Sequence, residues 1–273
     1  MSHSLPLIGA AMNVADLETH CDWLIAGQRD LELQDFIDAD VLNGDWQPLV
    51  DRAKSLLDGY AGRLGIHGPF WGFAIDTPDP DVRVVVQRKL MQGLDVCEAL
   101  GGTHMVVHSP FTTWDFNNLP LYPWARARKV EYCHLAMAGA VKRAEDIGVT
   151  LVIENIEDKD PADRVLLAQS FNSPAVAVSI DTGHAHYAHG STGAPPVDYF
   201  VKAAGNQLAH VHIQDADGYA DRHWVPGKGT VAWEAVFAAL GELAVSPRLI
   251  LELNDLSRIR EAADWLVEKG FAR

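Results

Sequence analysis

Short apolar runs alternate with longer amphipathic segments along the whole chain. Uninterrupted apolar runs of about four to eight residues are typical of buried strands, whereas apolar residues recurring every three or four positions are typical of helices. The runs predict eight strands, at 5–12, 30–36, 63–70, 103–109, 149–156, 176–181, 208–213 and 248–253. The segments between them predict eight helices, at 14–26, 46–60, 80–100, 123–147, 161–171, 197–204, 231–243 and 256–269.

Regular alternation of strands and helices predicts an α/β fold with a parallel sheet. With eight repeats, the natural architecture is a single (β/α)8 TIM barrel that spans residues 1–273 as one domain. An open, doubly wound sheet is the alternative, although no Gly-x-Gly-x-x-Gly follows the first strand. The stretch at 190–196, GSTGAPP, predicts a surface loop.

Acidic and imidazole side chains recur where six successive predicted strands end. In a TIM barrel these carboxyl ends meet on one rim, which is where barrel enzymes carry their active sites. The residues at or just beyond these ends are His67, His108, Glu154, Asp181, His184, His212, Asp221, His223 and Glu252.

Three carboxylates of this rim, Glu154, Asp181 and Glu252, would lie together on the inner face. Burying an unpaired carboxylate costs several kcal/mol, and no lysine or arginine recurs at these strand ends. A bound metal cation is the economical compensation. Strand parity also points His104 and His210 inward, but deeper, and predicts that they are hydrogen-bonded core residues.

Charge and cysteine content narrow the partners and the compartment. The formal net charge of −15 argues against a nucleic acid partner, which needs a basic surface. No apolar run is long enough for a membrane span, and no signal-peptide pattern opens the sequence. Three scattered cysteines suit a reducing environment, so the sequence predicts a cytoplasmic protein.

Seven motifs taken in order resemble the xylose-isomerase-like TIM barrel superfamily. They are HGPF, VVHSP, LVIEN, SIDTGH, HVHIQD, DRHWVPGKG and LILELND, and they cover about Ile66 to Asn254. That superfamily includes sugar and sugar-phosphate isomerases and epimerases, dehydratases, and apurinic endonucleases of the trinuclear-zinc type.

The resemblance implies a set of metal ligands. Its common site would hold one divalent ion, such as manganese, zinc, magnesium or cobalt, on Glu154, Asp181, His212 and Glu252. Glu154 and Glu252 would also act as catalytic acid and base. The endonuclease branch would add His67 and His108 around a second ion, and His184, Asp221 and His223 around a third. Without that third ion, Asp221 and His223 would contact substrate or order their loop.

These expectations favour a metal-dependent isomerase or epimerase of a small sugar, sugar phosphate or polyol derivative. A multinuclear phosphoesterase of apurinic-endonuclease type and a metal-dependent dehydratase are the alternatives. Phe70 and Trp71 also lie beyond strand ends and could help form an apolar wall against a sugar ring. The expected substrate contacts are His67, His108, His184, Trp114, Trp224 and Lys228. Whether copies of the chain assemble as a homo-oligomer is left open.

Overall fold

Eight parallel strands close into a barrel in chain order. The structure is a computed structural model that describes residues 5–273. The strands are β1 Ile8–Met12, β2 Leu31–Leu33, β3 Leu64–His67, β4 His104–His108, β5 Thr150–Glu154, β6 Val176–Asp181, β7 Leu208–Ile213 and β8 Arg248–Leu251. The predicted (β/α)8 barrel is confirmed, and the open, doubly wound sheet is excluded because β1 pairs with β8.

Helices surround the barrel, and every predicted helix is present. They are α1 Val14–Gly27, α2 Ala39–Asn43, α3 Gln47–Leu56, α4 Pro80–Leu100, α5 Thr113–Asn118, α6 Ala125–Ile147, α7 Pro161–Ser170, α8 Thr182–Thr192, α9 Val197–Ala204, α10 Trp233–Gly241 and α11 Ile259–Glu268. The sequence did not predict α2, α5 or α8. Since α8 continues to Thr192, the predicted loop at 190–196 is wrong for its first three residues.

Local signals explain where the helices begin and end. The carboxylate of Asp79 accepts a hydrogen bond from the Asp81 amide, and Pro80 occupies the first turn of α4. Gly101 ends this helix in the left-handed conformation, with φ 72°. By contrast, α8 has the sequence TGHAHYAHGST and shows no apolar stripe, so periodicity could not detect it.

The apolar core lies between the strands and the helices. Leu151 and Ile153 of β5 point outward into it, as strand parity predicts, and are fully buried. The barrel interior is filled differently, because polar side chains of β2, β4, β6, β7 and β8 meet there. Within residues 5–273, no helix is long and apolar enough to cross a membrane.

Strand register brings the rim residues together in pairs. His108 at the end of β4 lies beside Glu154 at the end of β5. Asp181 at the end of β6 lies beside His212 of β7. Side chains far apart in the sequence are therefore neighbours on one edge of the barrel.

Candidate metal centre

The first group of possible ligands consists of His67, His108 and Glu154. The Nε2 atoms of the two imidazoles lie 3.3 Å apart, and they are 3.6 and 3.8 Å from Glu154 Oε2. His67 uses Nδ1 to donate to the Gly68 carbonyl, at 2.9 Å, which leaves the Nε2 lone pair facing the group. Burial lowers the pKa of His108 to about 3, so His108 is neutral near pH 7.

The middle group consists of Glu154, Asp181, His212 and Glu252, whose donor atoms lie within 4.8 Å of one another. Its centre is His212 Nδ1, which lies 2.9 Å from Glu154 Oε1 and 3.3 Å from Glu252 Oε2. Within residues 5–273, Glu154 Oε2 and Asp181 Oδ2 are buried without a hydrogen-bond partner. Such orphaned carboxylate oxygens are costly unless a cation binds them. The donor set, with three carboxylates and one imidazole, fits a divalent ion.

The third group consists of His184, Asp221 and His223. Asp221 Oδ2 lies 3.3 Å from His184 Nε2 and 3.0 Å from His223 Nε2. Both histidines are fixed from behind, because their Nδ1 atoms donate to the carbonyls of Asn155 and Glu252, at 2.9 and 3.1 Å. This group is more open than the middle one, since the Asp221 side chain is 46% exposed.

His223 also has an unusual backbone. Its φ is 48°, in the left-handed region that residues other than glycine seldom adopt. The conformation is held by a hydrogen bond of 3.0 Å from the His223 amide to Gln214 Oε1. Residues held in this region cluster at functional sites, so the strain supports a role for His223 at the rim.

The surrounding carboxylates favour positive charge on the histidines. Burial opposes protonation, but Asp181 and Asp221 outweigh it and raise the pKa of His184 well above its usual value. Burial likewise opposes protonation of His223, but Asp221, Glu252 and Asp181 raise its pKa to about 9. A metal ion and these protons would compete for the same nitrogen atoms.

A single backbone turn explains the spacing of Asp181 and His184. Asp181 ends β6 and is also the N-cap of α8, where its Oδ1 accepts a hydrogen bond of 2.7 Å from the His184 amide. The first turn of α8 then carries the His184 ring to the third group. The DTGH sequence thus supplies one possible ligand to each of two neighbouring groups.

Several supporting residues were missed by sequence reasoning. Glu32 and Gln34 both come from β2 and its end, and Gln34 donates to Glu252 Oε1. Gln214 donates to Asp181 Oδ1 and Asp221 Oδ1, at 3.1 and 2.8 Å, and so joins the middle and third groups. The sequence does contain a signal for Glu32 and Gln34, because they are polar residues at alternate positions and such alternation is unusual in a parallel barrel strand.

A second polar cluster, which we call the deep layer, lies below the rim inside the barrel. His104 and His210 are buried there, as predicted. Ser179 Oγ lies 2.8 Å from His210 Nδ1. The remaining members of the deep layer are Glu32 and Arg248.

The predicted substrate contacts are distributed around the rim. Phe70 stacks on the His108 ring, with centroids 3.9 Å apart. Trp224 and Lys228 line a cavity of ≈ 330 Å³ beside His223. Trp71 and Trp114 are mostly exposed, and Trp114 stacks on Tyr122 with centroids 6.4 Å apart. Their contacts with a substrate stay predictions.

Comparison with known proteins identifies the class of this barrel. Residues 27–269 match the family described as xylose isomerase-like TIM barrel. The chain therefore belongs to the xylose isomerase-like TIM barrel family. The curated relatives that it resembles include the uncharacterised protein MJ1311 of Methanocaldococcus jannaschii, which is 22% identical over 221 residues, covering 78% of this chain and 72% of that protein.

Two solved structures of particular interest have the same fold. One is the TTHB071 protein from Thermus thermophilus, soaked with ZnCl2, at 25% identity and a TM-score of 0.71, covering 96% of this chain and 98% of that one. The other is a D-tagatose 3-epimerase-like protein, at 19% identity and a TM-score of 0.78, covering 96% of both chains.

Proposed function

We propose that the protein is a metal-dependent isomerase or epimerase of a small sugar, sugar phosphate or polyol derivative. The observation that carries this proposal is the middle group. Two glutamates from different strands, Glu154 at the end of β5 and Glu252 just after β8, approach the same nitrogen of His212 at 2.9 and 3.3 Å. Two carboxylates beside one cation site are what proton transfer next to a carbonyl requires.

The residues of the middle group and their neighbour Gln34 have separate proposed roles. A divalent ion held by Glu154, Asp181, His212 and Glu252 would supply Lewis acidity toward a carbonyl oxygen. Glu154 and Glu252 would take a proton from one face of the adjacent carbon and return one to the other face. Gln34 holds Glu252 Oε1 by donating a hydrogen bond, which orients the Oε2 atom toward the middle group.

The surroundings suit a small polar molecule with a carbon skeleton. Phe70 covers the side of the rim next to His108 and would exclude water from an apolar edge of the substrate. His184 and His108 would donate to or accept from hydroxyl groups. The similarity in fold to a D-tagatose 3-epimerase-like protein supports a carbohydrate-like substrate.

A multinuclear phosphoesterase is the second candidate, and a specific observation favours it. The first and third groups flank the middle one, and each offers three donor atoms within 4.8 Å of one another. Two or three adjacent metal ions are typical of phosphoester hydrolysis. The charge of −15 argues that any such substrate is a small molecule rather than a nucleic acid.

One experiment separates the two candidates. Metal-loaded protein is incubated in D2O with a panel of free ketoses, ketose phosphates and simple phosphate mono- and diesters. The isomerase proposal expects solvent deuterium on a carbon next to the carbonyl of at least one sugar, with loss of exchange in Glu154→Gln. Release of phosphate or alcohol without any deuterium exchange would contradict the isomerase proposal and support the phosphoesterase.

Ion counting on the same preparation gives an independent check. One tightly bound divalent ion per chain is expected for the isomerase, and two or three ions favour the phosphoesterase. Protein that binds no divalent ion after loading with manganese, zinc, magnesium or cobalt would contradict both candidates.

A further inference from the structure

Glu32 lies in the barrel interior and is fully buried. Three imidazoles surround its carboxylate, below the middle group. Glu32 Oε1 lies 2.8 Å from His212 Nε2. Glu32 Oε2 lies 3.1 Å from His104 Nε2 and 3.1 Å from His210 Nε2, although the His210 contact is too oblique for a full hydrogen bond.

Arg248 fixes the protonation of this cluster from below. Its guanidinium donates to His104 Nδ1, and a guanidinium cannot accept a hydrogen bond. The proton of neutral His104 must therefore be on Nε2, from which it donates to Glu32. Burial and the charge of Arg248 lower the pKa of His104 to about 3, so the ring is neutral near pH 7. Glu32 is thus left as an acceptor.

The same reasoning applies to His212. Its Nε2 faces an ionised carboxylate that only accepts hydrogen bonds, so Nε2 keeps its proton. Its Nδ1 faces the middle group and pairs with Glu154 Oε1 at 2.9 Å, so a divalent ion bound there would replace a proton on Nδ1. We propose that Glu32 is a positioning residue, which fixes His212 with its proton on Nε2 and thereby directs the Nδ1 lone pair to a divalent ion. This inference rests on the metal site of the proposed function.

An alternative occupant of this cluster is a metal ion of its own. Glu32, His210 and His212 offer donor atoms within 4.8 Å of one another. Apart from His210 Nε2, the donor atoms of this cluster are already paired, however. His210 Nδ1 is paired with Ser179 Oγ, and both oxygens of Glu32 face imidazole nitrogens. A metal here would have to displace the proton of His212 Nε2 and break these contacts.

The substitution Glu32→Gln tests the role because an amide cannot accept on both sides. If its oxygen faces His212, its NH2 group faces the Nε2 proton of His104. If the amide is reversed, its NH2 group faces His212 Nε2 and forces the proton onto Nδ1. The first arrangement places two donors against each other at His104 and so disfavours itself, and the second places the His212 proton on Nδ1, where it opposes coordination. We expect zinc affinity of the tightest site, measured by chelator competition, to fall roughly 10- to 100-fold.

A matched control and a conservative variant separate positioning from general stability. Asp158→Asn makes the same chemical change at another buried carboxylate, which is paired with Arg164 at 2.9 Å and accepts hydrogen bonds from Ser109 and Ile156 rather than from the middle group. It should lower the unfolding temperature but leave zinc affinity within about twofold of the wild type. Glu32→Asp keeps the charge and should lose less affinity than Glu32→Gln.

A spectroscopic measurement on the unaltered protein makes the test independent of folding of the variants. In zinc-loaded protein with 15N-labelled histidine, we expect His212 to carry a hydrogen-bonded proton on Nε2 and to bind zinc through Nδ1. Coordination through Nε2, or zinc bound at both nitrogens, would overturn the proposal. A Glu32→Gln variant that binds zinc as tightly as the wild type would also overturn the proposal.

The experiments distinguish a failure of the metal site itself from a failure of the role of Glu32. Wild-type protein that binds no divalent ion would remove the proposed function, and this inference with it. Wild-type protein that binds zinc tightly, together with an indifferent Glu32→Gln variant, would remove only the role of Glu32.

Discussion

The rim and the deep layer are built from the same residue types but differ in how their polar atoms are paired. In the deep layer, Arg248 donates to His104, His104 donates to Glu32, and Ser179 pairs with His210 Nδ1, while His210 Nε2 makes only an oblique contact with Glu32. In the rim, Glu154 Oε2 and Asp181 Oδ2 are buried carboxylate oxygens without a hydrogen-bond partner among the described residues. Proximity of histidines and carboxylates is therefore not enough to define a metal site.

His212 belongs to both clusters and shows what the difference means. Its Nε2 contacts Glu32 below, at 2.8 Å, and its Nδ1 contacts Glu154 above, at 2.9 Å. The lower contact is complete without any additional atom. The upper contacts bring carboxylates together in a way that a cation would stabilise. Within one ring, Nε2 therefore faces one carboxylate of the deep layer, and Nδ1 faces the group of carboxylates that could hold a cation.

The largest expected effect comes from Glu154, which contributes to both the first and the middle groups. Glu154→Gln should reduce turnover by roughly 10²- to 10⁴-fold, because it removes the proposed proton-transfer group and a proposed charged ligand. The measurement is kcat on the substrate found by deuterium exchange. Glu268→Gln, at an exposed position of α11, is the control and should retain full activity. Activity of Glu154→Gln above a tenth of the wild type would contradict the acid–base role.

A smaller effect is expected at the more open end of the rim. Asp221→Asn removes the carboxylate that lies 3.3 Å from His184 Nε2 and 3.0 Å from His223 Nε2. If the third group holds an ion, the affinity for that ion should fall about 10- to 100-fold, while the affinity of the middle group for its ion stays unchanged. Metal titration with ion counting gives both values. Equal loss from both groups would show that the rim acts as one site.

Strand parity and local pattern explain which parts of this rim could be predicted from the sequence. The eight strands and the positions of Glu154, Asp181 and Glu252 at their ends could be predicted, because an apolar run followed by a charged residue is a local pattern. The same applies to His104 and His210, whose parity and depth predicted burial.

The unpredicted features depend on contacts between distant segments. Glu32 lies on a strand of three residues, and its importance arises only when His212, 180 positions later, reaches its carboxylate. Gln214 is similar, since an amide between two aspartates has no recognisable sequence pattern. Helix α8 was missed for a different reason, because alanine, glycine and histidine give it no apolar face.

After the two substitutions at the rim, the next largest expected effect is that of pH on the stability of protein from which a chelator has removed the metal. The pKa of His223 is raised from 6.5 to about 9 in the fold, so its stabilising contribution is complete below pH 6.5 and is lost as the pH rises through about 9. The free energy of unfolding in urea should fall by roughly 1–3 kcal/mol between pH 6 and pH 9.5.

The matched control for this pH effect is His223→Asn. Asparagine tolerates the left-handed backbone at φ 48° but does not titrate in this range. Its stability should change less between pH 6 and pH 9.5 than that of the wild type. Identical pH dependence in the two proteins would exclude His223 as the source.

An effect of similar size on stability is expected in the deep layer, away from Glu32. Ser179→Ala removes the hydroxyl that lies 2.8 Å from His210 Nδ1. Loss of this buried hydrogen bond should cost about 1–3 kcal/mol of unfolding free energy while zinc affinity stays within about twofold of the wild type. Ser55→Ala, at an exposed position of α3, should change neither. A tenfold loss of zinc affinity in Ser179→Ala would mean that the whole deep layer supports the metal centre.

The smallest effect is expected at Lys228, outside both clusters. Its side chain is 57% exposed and its Nζ lies 4.0 Å from Glu261 Oε1, so Lys228→Ala should change stability by less than about 1 kcal/mol. Because Lys228 lines the cavity beside His223, KM for a phosphorylated substrate should rise roughly fivefold, equivalent to about 1 kcal/mol, with kcat unchanged. Lys202→Ala, at another exposed ion pair, is the control. Equal KM values in the two variants would place the anionic end of the substrate elsewhere on the rim.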